Sequence, residues 1–393
     1  MAETSILETQ IEIKPPPPPF FLENIQEQKV VLSFFKSCHR RRRQGDTWLI
    51  SIFLILPIIA FLVTMFVNDC WRKSHADCVV KPLGRFSFQP LSENPFLGPS
   101  ASTYGDRLGE VGALRRTFLI EHQQTWRFFA FQCLHAGLIH LVINLGSVVF
   151  VGAHLEREFG PLMVGIIYLL SSFSGTLMAA LFVQNKPAVG SSGPLYGLLG
   201  AALSELIWNW RMYIDKFTAL ASLFLVCMIN LALGLLPYVD NFSSLGGFIA
   251  GILLGSVLLC SSQIEQNSQN NGKGVLFEHS ENKRFTKLKL KQKLDMSILR
   301  TLTLVLYCVI CTGCLVALLR GIDMNDYCNW CRYIDCVPTK RWSCEDRVIS
   351  CETMVSKAEL TLTCLSNGKF KVFPYTNISR PRINDICSVI CGY

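Results

Sequence analysis

The sequence predicts an all-α polytopic membrane protein, with a six-helix core, a seventh transmembrane helix and a Cys-rich tail. Three observations carry that expectation. Half of the 393 residues are hydrophobic and the mean hydropathy is +0.33, more than a soluble domain of this length needs for its core. The apolar residues fall in seven blocks of spanning length, about 20 residues being enough to cross ~30 Å of hydrocarbon as a helix. Eight of the 17 cysteines, Cys328, Cys331, Cys336, Cys344, Cys351, Cys364, Cys387 and Cys391, crowd the chain after the last block.

Taken in order, residues 1–46 form a polar arm, read as disordered, with prolines at Pro15–Pro19 and a basic cluster at Arg40, Arg41, Arg42 and Arg43. The proline run suits a flexible polyproline spacer, and the arm has no apolar stretch of the signal-peptide kind. The core covers 47–262, with a first span over about Trp48 to Val67, an outward loop over 68–125, and five more spans between about Arg127 and Ser262. Cys70 and Cys78 are a candidate bridge within that loop, and Trp126-Arg127 at its end suits an interfacial anchor. A basic loop over 263–296 follows, carrying Lys273, Lys283, Arg284, Lys287, Lys289, Lys291 and Lys293. The seventh transmembrane helix is expected over 297–319 and the tail over 320–393.

Short basic loops stay in the cytosol, so the arm and the 263–296 loop are both expected there. The six spans between them close the topology evenly. The seventh span then delivers the tail to the lumenal or extracellular side, where its cysteines suit up to four disulfides of open connectivity. The same tail holds the glycosylation sequon Asn377-Ile378-Ser379. Zinc is a rival reading for the CxxC of Cys328 and Cys331, disfavoured on the oxidising side. The net charge of +8 is distributed for orientation and contact with the lipid bilayer, and no nucleic-acid partner is expected. A multi-pass protein of the endomembrane system or plasma membrane is the expected location.

Three segments carry polar chemistry inside these spans. In HAGLIHLVIN, His135 to Asn144, His140 and Asn144 are four apart and share one helix face. Such side chains are costly in a bilayer and turn toward the protein interior or a wet cavity. The pair reads either as hydrogen-bonding glue between helices or as donors to an oxyanion. In GSSGPLYGLLGA, Gly190 to Ala201, Ser192 stands between glycines at the head of a span, as a nucleophile turn would place it. Gly193, Gly197 and Ala201 recur every fourth residue, and Gly247, Gly251 and Gly255 repeat the spacing two spans later. The two smooth stripes suit close packing of one helix on the other.

The order HxxxxHxxxN, GxSGxxYG, GxxxGxxxG resembles the rhomboid family of intramembrane serine proteases. LGRFSFQPL (Leu83 to Leu91), NPFLGPS (Asn94 to Ser100) and CNWCRYIDCVPTKRWSC (Cys328 to Cys344) look like the plant rhomboid-like branch, so the resemblance covers most of the chain from residue 48 onward. It implies a six-helix rhomboid core, a serine–histidine dyad at a water-filled site, no cofactor or metal, and transmembrane proteins as partners. Carried over, the nucleophile position falls on Ser192, the oxyanion-side residues on His140 and Asn144, and the cavity aromatic on Tyr196. The base of that family, a histidine three residues before a glycine of the sixth span, falls on Ser244.

A neutral hydroxyl is no stronger a base than the group it would deprotonate. Glu205 lies thirteen residues beyond Ser192, about 20 Å along the axis at ~1.5 Å per residue, outside a general base's reach. Asp240 is expected at the mouth of the sixth span, about a helical turn above Ser244. The one histidine after the serine, His279, stands in a charged loop. Losing one member of a serine-hydrolase set costs on the order of 10⁴ to 10⁶ in rate. The expectation is an inactive member of the branch. Such a pseudoprotease would bind transmembrane segments of client proteins and regulate their trafficking or stability. The alternative is a weak or unconventional protease using Ser192.

Overall fold

A computed structural model of the chain describes residues 47–74, 78–91, 94–100, 107–183, 187–210, 213–271, 282–328, 330–335, 337, 351–356, 359–365, 368–374, 387 and 390. For 73–74, 117, 121, 260–271, 282–296 and 332 it describes the backbone alone. The arm, His279 and Asn377 lie outside the described residues.

Seven long helices form the bundle: α1 (Trp48–Asn68), α2 (Leu138–Phe159), α3 (Pro161–Phe182), α4 (Ser192–Trp208), α5 (Lys216–Leu233), α6 (Asn241–Asn271) and α7 (Asn282–Leu319). Six of them are long and apolar enough to cross a membrane, while α4, at 17 residues, is shorter. It starts late because the chain enters the bundle as an extended stretch before Ser192. The charged stretch read as a loop over 263–296 is largely helical, since α6 continues to Asn271 and α7 already begins at Asn282. Its run of Lys, Leu and Gln favours helix, so backbone periodicity persists past the apolar blocks.

The core is a three-helix contact of α3, α4 and α6. A Cβ on Gly247 would lie 2.0 Å from the Gly193 carbonyl oxygen, one on Gly251 2.1 Å from that of Gly197, and one on Gly255 2.7 Å from Ala201 Cα. Helix α3 closes the third side, with the Cβ position of Gly175 2.7 Å from the Ser243 carbonyl oxygen. Without side chains between them, the backbones meet directly, and this contact sets how deep Ser192 sits. Helix α7 lies at the rim: Tyr307 OH donates to the Leu170 carbonyl (3.3 Å), and Ser174 Oγ donates to Tyr307 (3.2 Å).

Helix α1 starts with no cap of its own from Thr47. Instead the buried Glu156 carboxylate, at the end of α2, accepts from Leu49 N and Ile50 N, both at 3.0 Å. This capping across helices satisfies donors that a helix start otherwise leaves orphaned inside the bundle. Glu156→Ala is expected to cost about 1–2 kcal/mol, read as a lower melting temperature in detergent, with Glu156→Gln in between.

The loop after α1 carries the Cys70–Cys78 disulfide. Arg127, expected at the lipid interface, is buried, because its guanidinium bonds the carbonyls of Gly109 (2.7 Å) and Ala113 (2.8 Å) and lies over the Phe118 ring. Trp126 remains half exposed. In the tail Cys328 bonds Cys331 and Cys351 bonds Cys387, so the CxxC is a disulfide. The tail also departs from all-α character. Strands β1 (Cys351–Ser356), β2 (Glu359–Cys364) and β3 (Phe370–Pro374) form an antiparallel sheet in sequence order. Alternation in ELTLTC puts Leu360, Leu362 and Cys364 on its buried face.

Candidate functional site

Ser192 is placed by the extended residues before it. Leu114 and Ala188 exchange backbone hydrogen bonds at 2.9 Å each, Val189 N donates to the Tyr238 carbonyl at 2.9 Å, and Gly190 N to that of Phe131 at 3.2 Å. Gly190 has φ +145°, and a Cβ there would stand 3.2 Å from His140 Cε1. Only glycine takes that backbone against that ring without strain. The chain then turns into α4 with Ser192 as its first residue.

The Ser192 hydroxyl is buried and donates to the backbone carbonyl of Asp240 at 3.3 Å. That oxygen accepts a hydrogen bond but cannot take the proton. Ser244 is buried one turn before Gly247, the residue that meets Gly193. Its neighbour Ser243 also borders the serine turn, with Oγ 2.7 Å from where a Cβ on Gly193 would lie and no hydrogen-bond partner.

His140 and Asn144 stand on the other side. The His140 Nδ1 accepts from Ala136 N at 3.4 Å, which leaves the proton on Nε2. That Nε2 lies 3.6 Å, and Ser192 Oγ 3.7 Å, from the Cβ position of Gly190, so an N–H donor and the serine flank the same glycine. Asn144 Oδ1 accepts from Ser191 Oγ at 2.8 Å, while its Nδ2 is buried without a partner. The His140 Nε2–H thus stands beside Ser192, and the Asn144 amide beside Ser191.

A serine–histidine contact does exist here, and it involves the wrong serine. Ser191 Oγ lies 3.1 Å from His135 Nε2. With the Ser191 proton given to Asn144, His135 donates rather than accepts, the reverse of a base. Burial pushes His135 down to about 4, so it stays neutral. His135 opens the HxxxxHxxxN pattern, but that pattern does not say which serine it meets.

The carboxylates have structural duties. Asp240 Oδ1 accepts from Phe242 N (2.7 Å) and Ser243 N (3.1 Å), capping α6. Glu205 accepts from Tyr213 OH and from Asn209 Nδ2. Tyr196 reaches across to α5, its OH donating to the Cys227 carbonyl at 2.6 Å, with its ring edge-on to Phe248. Among the described residues no group of three His, Cys, Asp or Glu could hold a metal ion.

A buried serine turn, whose Ser192 hydroxyl donates to a backbone carbonyl, and a helix contact made of glycine backbones define a bundle of the intramembrane serine hydrolase class. The Rhomboid domain matches residues 122–261. Over 327 residues the chain is 48% identical to the Arabidopsis thaliana "Inactive RHOMBOID-like protein 8", covering 83% of this chain and 90% of the relative. It is 41% identical over 345 residues to "RHOMBOID-like protein 1" of the same plant, covering 88% and 85%. A shorter match, 34% over 136 residues, reaches "Inactive rhomboid protein 1" of Danio rerio, covering 35% of this chain and 16% of that one. The chain belongs to the plant rhomboid-like family of multi-pass membrane proteins and is an inactive member, a pseudoprotease.

Proposed function

We propose that the chain captures transmembrane segments of client membrane proteins beside the Ser192 cavity and thereby regulates their trafficking or stability. The observation that supports this best is the loose seating of α5. Only 17% of its span is buried, against 28% for α1, 39% for α2 and 56% for α3 and α6; α7, the added helix at the rim, is 6% buried. Phe217, Phe224, Leu225, Met228 and Ile229 on it are exposed. It is tied to the bundle by Tyr196 and by Asn230, whose Nδ2 donates to Ser147 Oγ at 2.8 Å. A helix that joins its bundle weakly can make room for a client helix against α4, which opens on the buried Ser192.

In this reading Ser192 is the nucleophile equivalent and Ser244 occupies the base position. His140 and Asn144 are the oxyanion-side donors, Tyr196 the cavity aromatic, and Gly193, Gly197, Gly247, Gly251 and Gly255 the packing stripe. Residues 47–262 are the client-binding core. The basic arm and 263–296 face the cytosol, and the tail, with its disulfides, faces the lumen or exterior, where such bonds persist. Asn377 would be glycosylated on that side.

Photo-crosslinkers at Phe224 and Met228 are expected to capture intact membrane proteins, and Ser192→Ala is expected to leave the yield unchanged. Cleaved client fragments that vanish in Ser192→Ala would sink the reading and favour a weak protease.

A further inference from the structure

The first residues after α7 stay on the bundle. Arg116 pairs with Asp323 at 3.3 Å and donates to the Gly321 carbonyl at 3.0 Å, while Asn325 Nδ2 donates to the Phe182 carbonyl at the end of α3 (2.9 Å). Further on, Val337 N donates to the Leu235 carbonyl at 3.1 Å. The short helix Arg332–Asp335 lies on the start of α6: Asn241 Nδ2 donates to the Ile334 carbonyl (2.7 Å) and Asn241 N to Asp335 Oδ1 (2.8 Å). Asn241 directly follows Asp240, whose carbonyl receives the Ser192 hydroxyl. The tail therefore pins both ends of the loop 234–241 that borders Ser192.

We propose that this docked segment is an acid-tightened lid. The carboxyl groups of Asp240 and Asp335, brought together at the start of α6, hold the 234–241 loop closed when at least one is protonated and loosen it when both are ionised. Asp240 caps Phe242 N and Ser243 N while Asp335 caps Asn241 N, so two carboxylates serve three successive amides of one helix. A helix start favours one negative charge, but a second close by is repelled, and burial penalises both.

Burial pushes Asp240 up to about 6, and burial together with the Asp240 charge pushes Asp335 well above the usual carboxylate range. Undocking frees Asp335 and returns it to about 4, while Asp240 keeps its bonds to the first turn of α6. The docked form thus binds a proton on Asp335 more tightly, and docking is strengthened as pH falls and weakened as it rises.

Among the described side chains, the charges nearby leave this pair in control. The described ends of α3 and α4, the loop 234–239 and the first turns of α6 carry none. Asp323 is matched by Arg116, and His135 is neutral across this range. Arg320, Asp326 and Arg332 belong to the tail itself.

Hydrogen exchange of the full-length protein in nanodiscs, followed by mass spectrometry on peptides covering 234–245, tests the lid. Rates are corrected for intrinsic exchange, and α4 peptides report the intact bundle. The wild type is expected to open less often at pH 5.5 than at pH 7.5. Asp335→Asn, which keeps the acceptor without the charge, should stay closed at both pH values, and Asp335→Ala should open at both. Arg332→Gln should keep the pH effect. A wild type indifferent to pH, a pH effect that survives Asp335→Asn, or one abolished by Arg332→Gln would overturn the proposal.

Discussion

Ser244→His is expected to make Ser192 react with a serine-directed fluorophosphonate on the order of 10² times faster than the wild type, the usual contribution of a general base. The wild type should label at background, and Ser192→Ala in the Ser244→His protein should remove the gained signal. The argument rests on what the Ser192 hydroxyl meets. Its hydrogen bond goes to the Asp240 carbonyl, which cannot accept a proton, and the nearby imidazole of His135 is engaged with Ser191. Position 244 lies one turn before Gly247, which touches the backbone of Gly193 directly after the serine. His140 and Asn144 stand beside the turn, and in the proposed reading a base is the missing part. Background labelling of Ser244→His, with the protein folded, would show that position 244 does not face Ser192.

Gly251→Ala is expected to destabilise the bundle by about 3 kcal/mol or more, at the upper end of what overpacking costs. The added methyl would stand 2.1 Å from the Gly197 carbonyl oxygen. That atom belongs to backbone and cannot swing aside as a side chain could. Relief requires α4 and α6 to separate, and with them the contacts that place Ser192. Gly313→Ala in α7 is the control, since nothing lies within 4 Å of its Cβ position. Thermal unfolding in detergent should show a clear loss for the first and no loss for the second; equal melting temperatures would refute the close contact.

Apolar block length marked the seven helices, and the four-residue glycine spacing marked the stripes on α4 and α6. Both are local patterns, repeated along one helix, and legible without knowing its neighbours. The absence of a histidine at position 244 was legible in the same way, because a motif at fixed spacing names the position. Strands β1 to β3 were missed among dense cysteines that drew the reading toward disulfides, although ELTLTC alternates as a strand should. Arg127 was misplaced at the lipid interface because an aromatic–basic pair looks alike whether it faces headgroups or folds back on loop carbonyls.

By itself the sequence determined that this is a rhomboid-like membrane bundle with a serine turn at the head of one span. Only the tertiary structure decided which polar group meets which. Glu156 caps a helix 106 residues away, Ser191 meets His135 across 56, and Asp335 reaches Asn241 across 94. Such pairings have no period along the chain. Burying a polar group is costly until it finds a partner, and the partner within reach is chosen by how the helices pack.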